Sequence, residues 1–402
     1  MSDVVVTGLG VVGPFGVGRE ALAEALAAGR TQTVEVAPRG ACRAGAADRA
    51  ARVTADLAKL LPPGAGRRMS PPARFAVSAT RLALADAALA DGTDLTTTGI
   101  VTGTCWGPAF VTEQLLRQIF QQGPESASPA LFTESVANAA AAQVALTFGA
   151  RGPTQTITQR ESSDLLALAE GARLLRTGQC ERVLVGVVEE WVPILHELLA
   201  RARAGARPAG ARAAAARPFD RDRDGFVQAE GSAVFVLETE AAARERGARV
   251  HCRLLASVAG FDSSAPAHDW GTGGARLVAT LRRGLDRAEL DLASIDAVLS
   301  GASGSRAGDR LEAEVLSGLW RGGELPPIAT PKAVTGEYGG GFLASAVLAL
   351  TGTPLVTDRA FETPDPELAV RPHGGALPAP GRALVTSLSA GGTAAWAILA
   401  AP

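Results

Sequence analysis

The side chains that could act as nucleophiles or metal ligands are few and widely separated in this sequence. Cysteine and histidine each occur four times in 402 residues. The positions are Cys42, Cys105, Cys180, Cys252, His196, His251, His268 and His373. No two cysteines lie close together, and no histidine stands beside one at the spacing of a metal site. The pattern argues against a disulfide framework or a zinc site and favours a reducing cytoplasm, so we expect neither a metal nor a cofactor.

Composition and charge limit the classes of function. Hydrophobic residues make up 47% of the chain and charged residues 20%, as in globular proteins with a well-filled core. The formal net charge is −2, so nothing favours nucleic acid as a partner. The N-terminus lacks the basic start and apolar stretch of a signal peptide, and the apolar runs are broken before membrane-spanning length. We therefore expect a soluble cytoplasmic protein without a membrane partner.

Short apolar runs typical of strands alternate with stretches of helical periodicity along the whole chain. In the first half, strands are predicted at 4–6, 99–104, 154–158, 182–188 and 231–237, and helices at 19–28, 72–91, 109–122 and 163–176. In the second half, strands are predicted at 252–260, 295–300, 383–388 and 394–399, and helices at 274–288, 308–320 and 339–350. The alternation indicates an α/β fold with a sheet buried on both faces. The similar element order predicts a duplicated architecture with halves 1–245 and 246–402.

The first strand is followed by glycines. The run Val4-Val5-Val6 stops at Gly8-Leu9-Gly10, and a helix is predicted at Arg19–Ala28. This strand, turn and helix resemble a phosphate-binding opening. The glycine pattern is incomplete, so nucleotide binding is not favoured.

Several short sequence motifs occur along the chain in a defined order. They are Val4–Val12, Arg217-Pro218-Phe219-Asp220, Arg223–Val227, Glu230-Gly231, Asp309 with Glu312, Pro331-Lys332, Thr335-Gly336 and Gly391-Gly392-Thr393. In this order and spacing they resemble the β-ketoacyl synthase family of the thiolase fold, over nearly the whole chain. The resemblance implies two βαβαβαββ halves packed in a five-layered αβαβα arrangement.

The same resemblance shows which catalytic residues are replaced. Condensation by the family needs a thiolate to hold the acyl chain. It also needs two imidazoles to assist decarboxylation and stabilise the enolate. Counting within the motifs places the cysteine position at Glu161 and the two histidine positions at Gly301 and Glu337. The aromatic gate of the family is also absent, because Leu388-Ser389-Ala390 stands in its place. The resemblance therefore implies no catalytic residues for condensation.

Two other cysteines are rivals for the nucleophile. Cys105 follows a different strand and has no histidine beside it, and Cys180 follows a helix. A free cysteine is most often a small buried hydrophobe, and we interpret both residues in this way.

Within the family, a lost nucleophile is typical of the chain-length factors, the β subunits of type II polyketide synthases. The segments Pro331–Gly341 and Gly152–Leu175 resemble theirs. Those proteins carry Gln where this chain has Glu161. The resemblance implies a subunit that is inactive alone, pairs with an active ketosynthase and lines a tunnel for a polyketide held on an acyl carrier protein.

The size of that tunnel would be set by a helix after Gly107-Pro108. The positions carried over from the resemblance are Ala109, Thr112 and Leu116, with Trp191 as a weaker candidate. Small side chains at Ala109 and Thr112 predict an open tunnel. Packing of an amphipathic helix explains the same pattern equally well.

Four other readings remain open. Glu161 or Glu337 could act as a base in a stand-alone decarboxylase or hydrolase of acyl thioesters. Glu161 could instead support malonyl decarboxylation that generates a primer, or both glutamates could fill a vestigial pocket with Lys332 as a counter-ion. The chain could also be a scaffold without chemistry. Product length, partner identity and the type of polyketide do not follow from the sequence.

Overall fold

The computed structural model describes residues 3–36, 47–64, 66, 69–89, 92–208 and 213–402, so Cys42 lies outside the described residues. The strands are β1 (Val4–Gly13), β2 (Gly16–Val17), β3 (Val34–Glu35), β4 (Arg49–Ala50), β5 (Thr98–Gly103), β6 (Thr154–Ile157), β7 (Arg182–Glu189), β8 (Gly231–Thr239), β9 (Cys252–Phe261), β10 (Ala297–Ser300), β11 (Ile328–Ala329), β12 (Arg382–Leu388) and β13 (Thr393–Ala400).

Helices lie between most of these strands along the chain. They are α1 (Arg19–Ala28), α2 (Pro71–Asp86), α3 (Ala109–Gln122), α4 (Pro129–Glu134), α5 (Ala139–Phe148), α6 (Ser163–Arg176), α7 (Pro193–Arg201), α8 (Glu240–Glu245), α9 (Gly274–Arg287), α10 (Arg306–Leu319), α11 (Lys332–Thr335) and α12 (Gly339–Leu350). None of the helices in the described ranges is long and apolar enough to cross a membrane.

The two halves of the chain repeat one strand order. The first half has the order β6-β5-β7-β8-β1, and the second has β11-β10-β12-β13-β9. In each half the first three strands pair in parallel and the last two join antiparallel. The halves meet where β1 pairs with β9. The predicted duplication of βαβαβαββ units is therefore confirmed, while the boundary at residue 245 stays a prediction.

Alternating side chains of the strands divide the core into layers. On β7, Val183 and Val185 belong to a central cluster with α6 and α12, whereas Leu184 and Val188 belong to an outer cluster with α2 and α5. Residues of β10, β12 and β13 divide in the same way between the central cluster and an outer cluster with α9 and α10. Successive strand residues point to opposite faces, so each half-sheet is covered on both sides. The five-layered αβαβα arrangement is confirmed.

The first strand differs from the prediction. β1 does not end at Gly8 but continues to Gly13 with a bulge. A Cβ on Gly8 would clash with the carbonyl oxygen of Ala83, and one on Gly10 with that of Ala79. The predicted turn at Gly8-Leu9-Gly10 is therefore wrong, because both glycines lie inside the strand and allow α2 to approach the sheet closely.

The fold brings the carboxyl ends of two strands and the N-termini of two helices together in one region. β5 and β7 are parallel neighbours, so their carboxyl ends, at Gly103 and Glu189, lie at the same edge of the sheet. The N-termini of α6 and α12 belong to the same region, since Asp164 contacts the position of Gly339. Carboxyl ends of parallel strands are where α/β proteins place their ligand and catalytic groups.

Candidate active site

Glu161 lies in a short turn, Arg160–Ser162, that leads directly into α6. Its side chain lines a small cavity of about 20 Å³. The cavity is lined by Cys105, Trp106, Arg160, Glu161, Ser163, Asp164, Val187, Glu189, Phe226, Glu337 and Gly339. A volume of roughly 10–15 Å³ is what a single water needs. The cavity therefore has room for a water molecule and not for an acyl chain.

Glu337 reaches the same cavity from the opposite half of the chain. It follows Gly336, whose φ of 74° reverses the chain at the end of α11. The backbone N–H of Glu337 donates to the carbonyl oxygen of Val227 at 2.7 Å, which fixes the turn. Its Oε1 lies 2.6 Å from Lys332 Nζ in an ion pair whose lysine is 1% exposed. The structure thus brings Glu161 and Glu337 together, with Lys332 as the counter-ion of Glu337.

Two further carboxyl groups complete the cluster and were missed by the sequence reasoning. Asp164 lies in the first turn of α6 and is buried. Glu189 ends β7, and its Oε1 accepts a hydrogen bond from the Cys105 backbone N–H. Four side chains of this cluster each have one buried carboxyl oxygen without a hydrogen-bond partner in the described part of the chain: Glu161, Asp164, Glu189 and Glu337. The available signal was a pair of acids, Glu189-Glu190, directly after an apolar strand.

Burial changes the protonation of this cluster. Burial, and then the nearby Glu337, raise the pKa of Glu161 to about 7. Burial raises the pKa of Asp164 to about 7 although Lys332 opposes it. Burial also raises the pKa of Glu189 to about 8 against the hydrogen bonds from Cys105 and Trp106. Near neutral pH the cluster therefore holds protons, which limits the negative charge gathered in a confined space.

Lys332 is charged in this setting. Burial alone would lower the pKa of its ammonium group, but Glu337, Asp164 and Glu161 outweigh burial and raise it above its ordinary value. Its ammonium also lies 5.5 Å from the ring centre of Phe342. A charged lysine beside several carboxyl groups holds at least one of them in the ionised form.

Cys105 follows β5 as predicted, yet it lines the same cavity as Glu161. Burial raises the pKa of its thiol well above the usual range, and the charges of Glu161 and Glu189 add to this. A thiol that stays protonated is a poor nucleophile. No histidine is found among the residues that line the cavity. Cys180 is buried in the central core, as its interpretation as a small hydrophobe expects.

Gly301 lies just after β10 and is not part of this cavity. A Cβ at this position would lie 2.6 Å from the carbonyl oxygen of Thr386. This backbone arrangement therefore leaves no room for a side chain at Gly301, the position that the sequence resemblance assigns to the first histidine. Across the described ranges, no group of three or more Asp, Glu, His or Cys side chains is arranged to hold a metal ion.

The predicted tunnel residues lie on and near α3. Ala109 and Thr112 are half-buried, and Leu116 is exposed, whereas Val111 and Leu115 face the core. Trp191 packs elsewhere: the Arg52 guanidinium lies 4.6 Å from its ring centre, and its ring lies 5.7 Å from that of His196. A tunnel role for these four positions stays a prediction.

Comparison with known proteins agrees with this geometry. The family described as "Beta-ketoacyl synthase, N-terminal domain" matches residues 1–243. The granaticin polyketide putative beta-ketoacyl synthase 1 of Streptomyces violaceoruber is 31% identical over 386 residues, covering 90% of this chain and 89% of the relative. The tetracenomycin polyketide synthase ketoacyl synthase alpha subunit of Streptomyces glaucescens is 30% identical over 386 residues, covering 90% and 88%.

Solved structures show the same fold. One is described as "AntDE:AntF (apo): type II PKS acyl-carrier protein in complex with its ketosynthase bound to the hexaketide"; its TM-score is 0.87, at 22% identity, with 100% of both chains covered. The ishigamide ketosynthase/chain length factor has a TM-score of 0.85 at 24% identity, covering 100% of this chain and 99% of the other. The predicted thiolase-like ketosynthase fold is confirmed, and the chain belongs to the β-ketoacyl synthase family.

Proposed function

We propose that this chain is a non-condensing, ketosynthase-like subunit that pairs with an active ketosynthase and shapes a tunnel controlling polyketide chain length. The observation that carries the proposal is the content of the former catalytic cavity. Glu161 occupies the nucleophile position in about 20 Å³ of free space, among other buried carboxyl groups. The cavity has no room for the reactants of a condensation, and the residues that would act on them are replaced.

Each step of condensation lacks its residue. A carboxyl group at Glu161 does not form the thioester that holds the growing chain. The position of the first imidazole is Gly301, where a Cβ would meet backbone. The position of the second is Glu337, whose Oε1 pairs with Lys332. An enolate formed there would therefore lack the two imidazoles that stabilise it in a condensing enzyme.

An exposed apolar surface supports pairing with another subunit. It extends over α3, α4 and α5, which contact one another in sequence. Its large exposed side chains are Phe110, Leu116, Phe120, Phe132, Val136 and Leu146. Phe120 is 82% exposed and Leu146 is 80% exposed, and apolar surface on this scale marks interaction sites. β6, at the edge of the sheet beside this surface, offers unpaired backbone groups for strand addition.

The relatives supply the chemical class of the partners. They are named for polyketide synthases, and the solved relatives include a ketosynthase with an acyl-carrier protein and a ketosynthase/chain length factor. In the proposed assembly, the carrier protein delivers the chain to the partner ketosynthase. The half-buried Ala109 and Thr112, with Leu116, form part of the wall against which the chain grows.

One observation favours a second candidate function. The pKa of Glu161, raised to about 7 by burial and Glu337, suits a general acid or base near neutral pH. This is the property expected of a stand-alone decarboxylase or hydrolase of acyl thioesters that uses Glu161 and Glu337. The size of the cavity counts against it, since a thioester must reach these groups before they can act.

Purification of the chain with and without a partner tests the proposal. The tagged chain is produced alone and together with a type II polyketide ketosynthase that carries the cysteine and both histidines. The expected result is an equimolar complex, self-association of the chain alone, and turnover of malonyl-carrier protein only by the complex. A stable chain that hydrolyses or decarboxylates acyl thioesters alone, and loses that activity on Glu161→Gln, would support the second function instead.

A further inference from the structure

The turn that carries Glu161 is tied to the end of β12 by buried serines. The Ser162 N–H donates to Ser389 Oγ at 2.8 Å, and the two hydroxyl oxygens lie 2.7 Å apart. Ser389 Oγ also lies 3.1 Å from the carbonyl oxygen of Gln159. Ser387 Oγ donates to the carbonyl oxygen of Glu161 at 2.8 Å. These contacts fix the turn at both of its ends. We call Ser162, Ser387 and Ser389 the serine clamp.

A second set of contacts holds the same turn against β5. Ser163 Oγ lies 3.0 Å from the carbonyl oxygen of Thr104 and 2.7 Å from that of Arg160. It also accepts a hydrogen bond from the Gln159 N–H at 2.8 Å. Ser163 is 2% exposed. Opening the turn would leave buried donors and acceptors without partners, which is unfavourable.

Arg160 connects the same turn to the loop that contains His268. It lines the cavity and has a φ of 50°, in the left-handed region that non-glycine residues seldom adopt. Its Nη2 lies 2.8 Å from His268 Nδ1 and 3.3 Å from the carbonyl oxygen of Ala267. The loop of His268 is itself held to the C-terminal glycine turn, where the Gly391 N–H donates to the Asp269 carbonyl oxygen at 2.8 Å.

We propose that the serine clamp and Arg160 keep the turn at Glu161 closed over the cavity, so that acyl and thiol groups from solvent do not enter it. This inference rests on the proposed function and adds a positioning role for Ser389 and Arg160. Because the pocket is closed, a carrier-bound chain reacts at one site only, the active site of the partner ketosynthase. Ser389, one member of the clamp, lies in the segment Leu388–Ala390 where the family resemblance expects an aromatic gate.

The thiol of Cys105, a half-buried residue that lines the cavity, reports on closure. The full-length chain is treated with iodoacetamide, and the alkylation rate of each cysteine is measured by peptide mass spectrometry. Cys252, in the core on β9, is the internal reference for unfolding. Ser389→Ala and Arg160→Ala are two independent ways to open the turn. Ser317→Ala, which removes a hydroxyl that donates to the Ala313 carbonyl oxygen within α10, is the matched control.

The expected result is an increase of about tenfold or more in Cys105 alkylation for each opening variant, with Cys252 and the control unchanged. Loss of the Arg160 charge disfavours the thiolate, so a faster reaction in that variant must come from access. Equal alkylation of Cys105 in the unmodified chain and both variants overturns the proposal. So does a parallel rise at Cys105 and Cys252, which reports general loosening. The assay needs no partner and no product, so its failure is distinguishable from failure of the proposed function.

Discussion

Lys332 and Glu337 form an ion pair with Nζ and Oε1 2.6 Å apart, across the turn at Gly336. Because Lys332 is 1% exposed, its charge is compensated almost entirely by protein groups. Asp164 and Glu161 also contribute to holding it charged. The buried ammonium group of Lys332 thus acts on three of the carboxyl groups that line the cavity.

Removing that cation should destabilise the fold in a pH-dependent way. Removing one partner of a buried ion pair lowers the free energy of unfolding by about 3–5 kcal/mol. We expect Lys332→Met to lose about 3 kcal/mol of unfolding free energy at pH 8, and less at pH 5 because the carboxyl groups then take up protons. Chemical denaturation measures the change. The matched control is Lys59→Met, at an exposed lysine. Equal effects of both substitutions would contradict the structural role of the pair.

The raised pKa of Glu189 predicts a second pH effect. Its folded pKa of about 8 lies above the ordinary value of 4.5, because of burial. Its contribution to stability is therefore complete at low pH and is lost as the pH rises toward 8. Glu189→Gln keeps the acceptor for the Cys105 N–H and removes the titration. We expect the stability of the variant, relative to the native chain, to rise from pH 5 to pH 8 by at most about 1.4 kcal/mol per pH unit.

The measurement for Glu189 is the unfolding free energy at several pH values. Glu197→Gln is the control, because Glu197 pairs with Arg201 on the surface of α7. Parallel curves for the native chain and Glu189→Gln would show that Glu189 does not bind a proton on folding.

Gly301 lies close to the backbone of β12. Because a Cβ there would lie 2.6 Å from the Thr386 carbonyl oxygen, we expect Gly301→Ala to cost about 1–3 kcal/mol of stability. Gly374→Ala is the matched control, since nothing lies within 4 Å of a Cβ at that position. Thermal or chemical denaturation compares the two. If Gly301→Ala is as stable as Gly374→Ala, the steric argument is wrong.

The proposed tunnel wall predicts a change in product length. Thr112 is half-buried, and its Oγ1 donates to the Pro108 carbonyl oxygen at 2.8 Å. In the complex with its partner, Thr112→Trp should shorten the polyketide by at least one extension unit, because the larger side chain removes tunnel volume. Gln114→Trp, at an exposed position of the same helix, should leave the length unchanged. Mass spectrometry of the products measures the chain length made with each variant. Unchanged products from Thr112→Trp would contradict the proposal that Thr112 lines the tunnel.

The elements that carry the fold could be predicted because their patterns are local. α3 and α6 begin and end where their periodicity predicts, at Ala109–Gln122 and Ser163–Arg176. β1 was cut short because Gly8 reads as a turn, whereas its function is to make room for a helix distant in sequence. α5 was missed because its run of alanines shows little contrast between faces.

The site was predictable only where a motif fixes the spacing. Glu161 and Glu337 followed from such counting, and the structure places both on one cavity. Asp164 and Glu189 belong to separate elements that meet only in the folded chain. The raised pKa of each comes from burial, which no local pattern encodes.

The most direct test of the central claim is reconstitution of the partner ketosynthase with malonyl-carrier protein, with and without this chain, followed by mass analysis of the products. We predict long polyketides only when both subunits are present. Glu161→Gln should behave like the native chain, since Glu161 takes no part in condensation. If the ketosynthase makes the same product alone, or if Glu161→Gln abolishes product formation in the intact complex, the account of a non-condensing, tunnel-shaping subunit is contradicted.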